Sequence, residues 1–181
     1  MKTKRIVITG GPGTGKTALI EYLIELGYNC LPEISRAVTK KAQADGIDQL
    51  FLEQPILFSE MLLEGRLSQY NEANGTTAPF LFYDRGMPDV TSYMDYLGTT
   101  YNKKFTEICK AYVYDAVFLL PPWKEIYKQD NERYESFKEA ELLFEFLQQG
   151  YESCGYDVIH VPLESLENRT NFILKKLKEL S

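Results

Sequence analysis

Cysteine is scarce in this chain of 181 residues: Cys30, Cys109 and Cys154 are the only three, and they stand far apart. An odd number, with no Cys-x-x-Cys spacing and no histidine close by, excludes a disulfide framework and a cysteine-based zinc centre as organising features. A reducing compartment suits such a chain. Histidine and tryptophan occur once each, at His160 and Trp123. Long apolar runs are missing too, and no stretch approaches the roughly 20 apolar residues of a membrane-spanning helix. The basic start, Met1-Lys2-Thr3-Lys4-Arg5, is followed only by Ile6-Val7-Ile8 before Thr9-Gly10-Gly11, too few for the apolar part of a secretion signal. The expected location is cytoplasmic, with no membrane span. Positive charge is the last deficit: 20 lysines and arginines face 26 aspartates and glutamates, a net charge of −6. Duplex nucleic acid and simple adsorption to anionic lipid both need a basic face, so this balance argues against them. It leaves small phosphates open.

What is present is a core. Hydrophobic residues make up 44% of the chain and aromatics 13%, and at roughly 150 residues per domain the length predicts a single domain over residues 1–181. Five short apolar runs are strand candidates: Arg5 to Thr9, Tyr28 to Leu31, Phe80 to Tyr83, Ala116 to Leu120 and Asp157 to Val161. Their apolarity is continuous rather than alternating, as a parallel sheet covered on both faces requires. Between them the period becomes helical. Leu19, Leu23 and Leu26 share one face before Gly27. Phe137, Ala140, Phe144, Leu147 and Tyr151 share another, and Leu166, Thr170, Ile173, Leu177 and Leu180 a third. Strands alternating with helices predict an α/β fold with a parallel sheet and right-handed crossovers. The segment Gln49 to Tyr70, rich in Phe51, Leu52, Ile56, Leu57, Phe58, Met61 and Leu62, reads as a helix beside a cleft whose apolar side chains mainly fill the core.

The chemistry concentrates at the strand ends. Gly10-Gly11-Pro12-Gly13-Thr14-Gly15-Lys16-Thr17 fits G-x-x-x-x-G-K-[ST] directly after a strand and before a helical stripe. Residues Gly11, Pro12, Gly13, Thr14, Gly15, Lys16, Thr17 and Ala18 are the expected nucleotide-binding set. Backbone N–H groups and the helix N-terminus would cradle phosphates, Lys16 would reach the outer ones, and Thr17 would place its hydroxyl on Mg²⁺. Asp84, closing Phe80-Leu81-Phe82-Tyr83, is the expected second Mg²⁺ residue, and Arg85 would face transferred phosphate. Glu33 and Arg36 follow the second strand. By the rule that ligands sit at the carboxyl ends of such strands, Glu33 would take an acceptor's proton and Arg36 would bind the acceptor. A helix-capping acid is the structural alternative for Glu33. The polar stretch from Pro122 to Ser136 reads as a lid in which Arg133, and less directly Lys124 and Lys128, bring positive charge. His160 reads as a strand residue.

With these motifs together, the chain resembles P-loop nucleoside and nucleotide kinases. More narrowly, it resembles the small AAA-domain family that includes the kinase domain of a bifunctional regulator of NAD biosynthesis. The quoted parts are Gly10 to Thr17, Leu31-Pro32-Glu33-Ile34-Ser35-Arg36, Tyr83-Asp84-Arg85-Gly86 and Asp130-Asn131-Glu132-Arg133. The resemblance implies a three-layer α/β/α fold with sheet order 2-3-1-4-5, a glutamate base at Glu33, an acid–arginine pair at Asp84-Arg85 and a lid arginine at Arg133. It implies ATP, with GTP left open, and Mg²⁺ as cofactors, and a phosphoryl acceptor that is a small nucleoside, nucleotide or ribosyl compound. No Asn-Lys-x-Asp guanine motif is present, since Asn102-Lys103 continues into Lys104-Phe105. A monomer or small homo-oligomer is expected rather than a hexameric remodelling ATPase. The competing expectation is a nucleotide-dependent switch with slow hydrolysis that recognises phosphorylated or lipid head-group partners.

Overall fold

The computed structural model describes residues 2–47, 50–127 and 136–179. Five strands form one parallel sheet in the order β2-β3-β1-β4-β5: β1 Lys4–Thr9, β2 Asn29–Leu31, β3 Phe80–Asp84, β4 Ala116–Leu119 and β5 Val158–His160. Each expected strand is found, with ends moved by no more than a residue. The helices among the described residues are α1 Lys16–Glu25, α2 Ser35–Ala44, α3 Leu50–Glu53, α4 Pro55–Glu72, α5 Met87–Tyr96, α6 Lys104–Ala111, α7 Phe137–Ser153 and α8 Leu166–Glu179.

Alternation along β1 explains the layering. Ile6 and Ile8 point to one face, where they join Leu19, Ile20 and Leu23 of α1, Phe82, Phe118, and Ile173 and Leu177 of α8. Val7 points to the other, with Leu81, Tyr83, Val117, Met87, Val90 and Met94 of α5, and Tyr151 of α7. Both faces of the sheet are covered, so alternating side chains are all apolar and the strands read as unbroken runs. Each fully buried Leu, Ile or Phe contributes about 1.5–3 kcal/mol by leaving water.

Several stripe residues fall elsewhere than expected. Leu26 stands just past α1 and is 48% exposed, because the helix ends before its turn comes round to the sheet. On α7 the inward residue of the middle turn is Leu143, with Phe144 packed at its edge. On α8 the buried position beside Thr170 is Arg169, and Leu166 is 36% exposed; Leu180 lies outside the described residues. The segment around Gln49 to Tyr70 is two helices, since Gln54-Pro55 interrupts it: Pro55 lacks the N–H an unbroken helix would need and starts α4 instead. Among the described residues, no helix is long and apolar enough to cross a membrane.

The register sets the site. β1 and β3 pair through Ile8↔Asp84, and β2 and β3 through Leu31↔Tyr83. The loops after β1, β2 and β3 therefore leave the same end of the sheet together.

Candidate active site

The loop from β1 into α1 is shaped by glycine. Gly13 and Gly15 have φ of 72° and 74°, the left-handed region that L side chains rarely adopt. Space demands glycine as well: a Cβ on Gly15 would lie 2.8 Å from Arg169 Nη1, and one on Gly13 only 2.1 Å from the Tyr127 ring. Thr14 Oγ1 donates to the Gly11 carbonyl at 3.0 Å, which tightens the turn. Gly11, Gly13, Thr14 and Lys16 are buried, Pro12 and Gly15 half-buried, and Thr17 and Ala18 exposed on the first turn of α1. That turn carries the unpaired N–H groups and positive dipole end of a helix.

Lys16 and Asp84 meet in an ion pair between Nζ and Oδ1, with both side chains nearly buried. Burial pushes the Lys16 ammonium below its usual range and Arg85 adds to this, while Asp84 opposes both. Arg85 is the one non-glycine residue among those described with positive φ, at 74°. This strained conformation turns the chain out of β3 while the Arg85 N–H still donates to the Ile8 carbonyl at 3.0 Å. Its guanidinium lies 3.4 Å from Asp89 Oδ1 and 5.2 Å from the centre of the Tyr93 ring. Burial alone would lower the Arg85 value, but Tyr93 and the carboxylates of Asp89, Glu33 and Asp84 raise it further.

Glu33 follows β2. It accepts from the Ser35 N–H, at the start of α2, at 3.0 Å and from the Ser35 hydroxyl, and it also lines the cavity beside Arg85. Arg66 of α4 approaches Glu33 Oε1 at 3.4 Å and donates to the Gly86 carbonyl at 2.7 Å. Burial would raise the Glu33 carboxyl, but the Ser35 hydrogen bonds together with Arg66 and Arg85 hold it below the usual glutamate range. Asp89, fully buried, accepts from Thr9 Oγ1 and the Tyr151 hydroxyl, each at 2.5 Å, and from the Gly86 N–H at 2.9 Å. Burial would raise Asp89 too, and Arg66, Arg85 and these donors overcome it. The same arrangement drives the Tyr151 phenol well above its usual value, through burial first and the Asp89 charge second.

These groups close one end of a cavity of about 370 Å³. Glu33, Arg66, Arg85 and Asp89 form its charged end, and Phe51, Phe58, Leu62 and Tyr93 are among its apolar walls. Of the apolar residues expected mainly to fill the core, Leu62 is buried and also lines the cavity, Phe51 and Phe58 border it, and Leu52 and Leu57 are exposed.

Other expected residues lie apart from this centre. Arg36 is exposed on α2 and is absent from the cavity's lining; the arginine against Glu33 is Arg66, because the α2 turn carries Arg36 outward. Lys124 is exposed. His160 is an exposed strand residue with its ring 5.3 Å from that of Phe144. Lys128 and Arg133, with most of the expected lid, lie outside the described residues.

Three residues of the site were not legible in the motifs: Arg66, Asp89 and Arg169. Arg66 and Asp89 are charged residues on helix faces that otherwise read as apolar, and that mismatch was the available signal. Arg169 is 2% exposed and donates from Nη2 to the Thr14 carbonyl at 2.7 Å, gripping the phosphate loop from behind. Its guanidinium lies 5.8 Å from the Trp123 ring, and its buried Nε has no hydrogen-bond partner among the described residues.

The sheet order and the glycine loop with its lysine against the β3 aspartate define a three-layer α/β/α P-loop fold. The chain belongs to the AAA domain family, whose sequence profile matches residues 5–169. Among solved structures it is similar to the deoxyadenosine kinase of M. mycoides with dCMP and dCDP bound, at 16% identity and a TM-score of 0.68, covering 97% of this chain and 99% of that one. It is also similar to the NadR protein in complex with NR, at 18% identity and a TM-score of 0.72, covering 99% of this chain and 51% of that one. A second NadR structure, with NAD and AMP-PNP, matches at 19% identity and a TM-score of 0.70, covering 99% of this chain and 49% of that one. A comparison with curated proteins finds no match.

Proposed function

We propose that this protein is an ATP- and Mg²⁺-dependent phosphotransferase that phosphorylates a hydroxyl of a small nucleoside, nucleotide or ribosyl acceptor. One observation carries the reading: Glu33 and Arg85 stand on the wall of a cavity at the same sheet end where Lys16 pairs with Asp84. A volume of about 370 Å³ falls within the roughly 300–1,000 Å³ of small-molecule sites. The deoxynucleotide complexes of the deoxyadenosine kinase and the AMP-PNP complex of NadR support the same choice of ligands.

In this reading the loop N–H groups and Lys16 hold the donor phosphates, with Lys16 exchanging Asp84 for phosphate. Asp84 and the Thr17 hydroxyl fit Mg²⁺: one carboxylate and one hydroxyl are hard oxygen donors, and this ion keeps water and phosphate oxygens as its remaining ligands. Among the described residues no cluster of three or more acidic, histidine or cysteine side chains could hold a metal alone, which suits an ion brought in with a nucleotide. Bound Mg²⁺ would offset phosphate charge. Glu33, kept ionised by Ser35 and the arginines, orients the acceptor hydroxyl and takes its proton, and Arg85 offsets charge on the phosphoryl group. Arg66 holds Glu33 in place. Arg133 remains the proposed lid cation. Positioning and charge account for most of the rate in such a transfer.

The test is purified protein with ATP labelled at the γ-phosphate, Mg²⁺ and a panel of nucleosides, mononucleotides and ribosyl compounds. Label on an acceptor is the expected result. Nucleotide binding without transfer to any of them overturns the kinase reading in favour of a switch.

A further inference from the structure

The charged end of the cavity is balanced. Two arginines meet two carboxylates there, each cation 3.4 Å from an anion: Arg66 from Glu33, and Arg85 from Asp89. The four side chains are between 0% and 23% exposed, so water screens them little. Burial alone would raise both carboxyls, but hydrogen bonds and the two arginines hold them below their usual ranges, and both are ionised at neutral pH. Lys16, at the same end of the sheet, is paired with Asp84.

Arg66 and Arg85 are the cations of the described lining, and each already faces a carboxylate. A phosphate group carries close to two negative charges at neutral pH. Placed among these four groups, it would add buried negative charge that nothing compensates, which is costly.

The rest of the wall is of another kind. Phe51, Phe58 and Tyr93 supply aromatic surface, and the polar side chains away from the charged end are the hydroxyls of Ser59, Tyr93, Tyr96 and Thr99. A hydroxyl rotates to suit either a donor or an acceptor, whereas reading the edge of a ring takes a fixed donor–acceptor pair of the sort an Asn or Gln side chain offers. The described lining includes neither.

We propose that the acceptor held in this cavity is an unphosphorylated alcohol carrying a flat ring, selected by charge and by the face of the ring rather than by its edge. The place of the reacting hydroxyl, beside Glu33, rests on the phosphotransferase reading above. The acceptor class then narrows from nucleosides and nucleotides to nucleosides and other unphosphorylated ribosyl compounds. Their rings lie against the aromatic wall, where stacking is tolerant of ring identity because every base has a π-face. A phosphate on the acceptor is rejected by Glu33 and Asp89, the repulsive element of the site.

The test measures binding in the absence of ATP, by calorimetric titration of the full chain with adenosine, deoxyadenosine, cytidine and deoxycytidine and with their 5′- and 3′-monophosphates. Each nucleoside should bind at least about tenfold more tightly than its monophosphates, and nucleosides of the same sugar should lie within about tenfold of one another. Glu33→Gln takes one negative charge from the cavity and should shrink the preference over monophosphates severalfold; an unchanged preference in the folded variant overturns the assignment of that charge. In wild-type protein, monophosphates that bind as tightly as nucleosides, no binding by either class, or a purine–pyrimidine difference above about a hundredfold overturns the proposal, whether or not the variant folds. Preference for nucleosides without transfer from ATP would remove the kinase reading and leave this selection standing, and transfer to a monophosphate would do the reverse.

Discussion

The phosphate loop and the cavity sit at the same end of the sheet but are built in opposite ways. The loop is eight consecutive residues, and its chemistry is mostly backbone: left-handed glycines, converging N–H groups and one lysine. From outside, Arg169 donates to the Thr14 carbonyl. The cavity's charged end draws on three separate segments and is made of side chains that satisfy one another, Glu33 with Arg66 and Arg85 with Asp89. A backbone site tolerates changes at its variable positions and fails at its glycines and lysine. A site of paired buried charges is sensitive at every member, because removing one leaves its partner buried without compensation.

The contrast can be broken first at Lys16. Lys16→Ala should abolish the thermal stabilisation conferred by ATP, and with it transfer; full retention of that stabilisation in a melting assay would remove the loop from the proposed donor site. Glu33→Gln should divide the two regions cleanly, leaving ATP affinity near wild type while lowering the transfer rate about 10²–10⁴-fold. An unchanged single-turnover rate would take Glu33 out of the mechanism. Arg169→Met should weaken ATP binding about tenfold, since a hydrogen bond from a charged donor is worth about 1.5–3 kcal/mol. The melting temperature without nucleotide should move little, because the change also removes a buried cation with an unsatisfied Nε. Calorimetric titration checks the first half and a thermal melt the second.

The smallest effect is one of pH. Glu33 is held below the usual glutamate value of about 4.3, so its charge persists to lower pH than in the unfolded chain. Its contribution to stability is fully present above that usual value and is lost as pH falls through the lower folded one. The transfer rate should therefore hold on the acid side until pH has fallen below the usual glutamate value. Arg66→Met removes one cause of the depression and should move the acid limb of the rate profile upward; an unmoved limb would show that Ser35 and Arg85 suffice to set it.

How far the sequence reached follows from these same particulars. The five strands were legible because Ile6, Val7 and Ile8 are apolar on both faces of a covered sheet, and the loop was legible because its glycines and Lys16 are neighbours in the chain. Asp84 and Arg85 were found as the polar end of an apolar run. Arg36 was placed by proximity to Glu33, but Glu33 lies before α2 while Arg36 is on its first turn, and there it faces outward. Arg66, 33 residues from Glu33, carried no spacing rule that could link the two.

The sequence alone determined the layered α/β arrangement, the polar strand ends and the glycine loop, because each is encoded in residues close enough to share backbone geometry. Tertiary structure alone decided that Arg66 holds Glu33, that Arg169 grips the loop, and that Asp89 and Tyr151 lock beneath Arg85. These contacts are made across helices whose relative placement comes from packing both faces of the sheet at once. No local pattern carries that information.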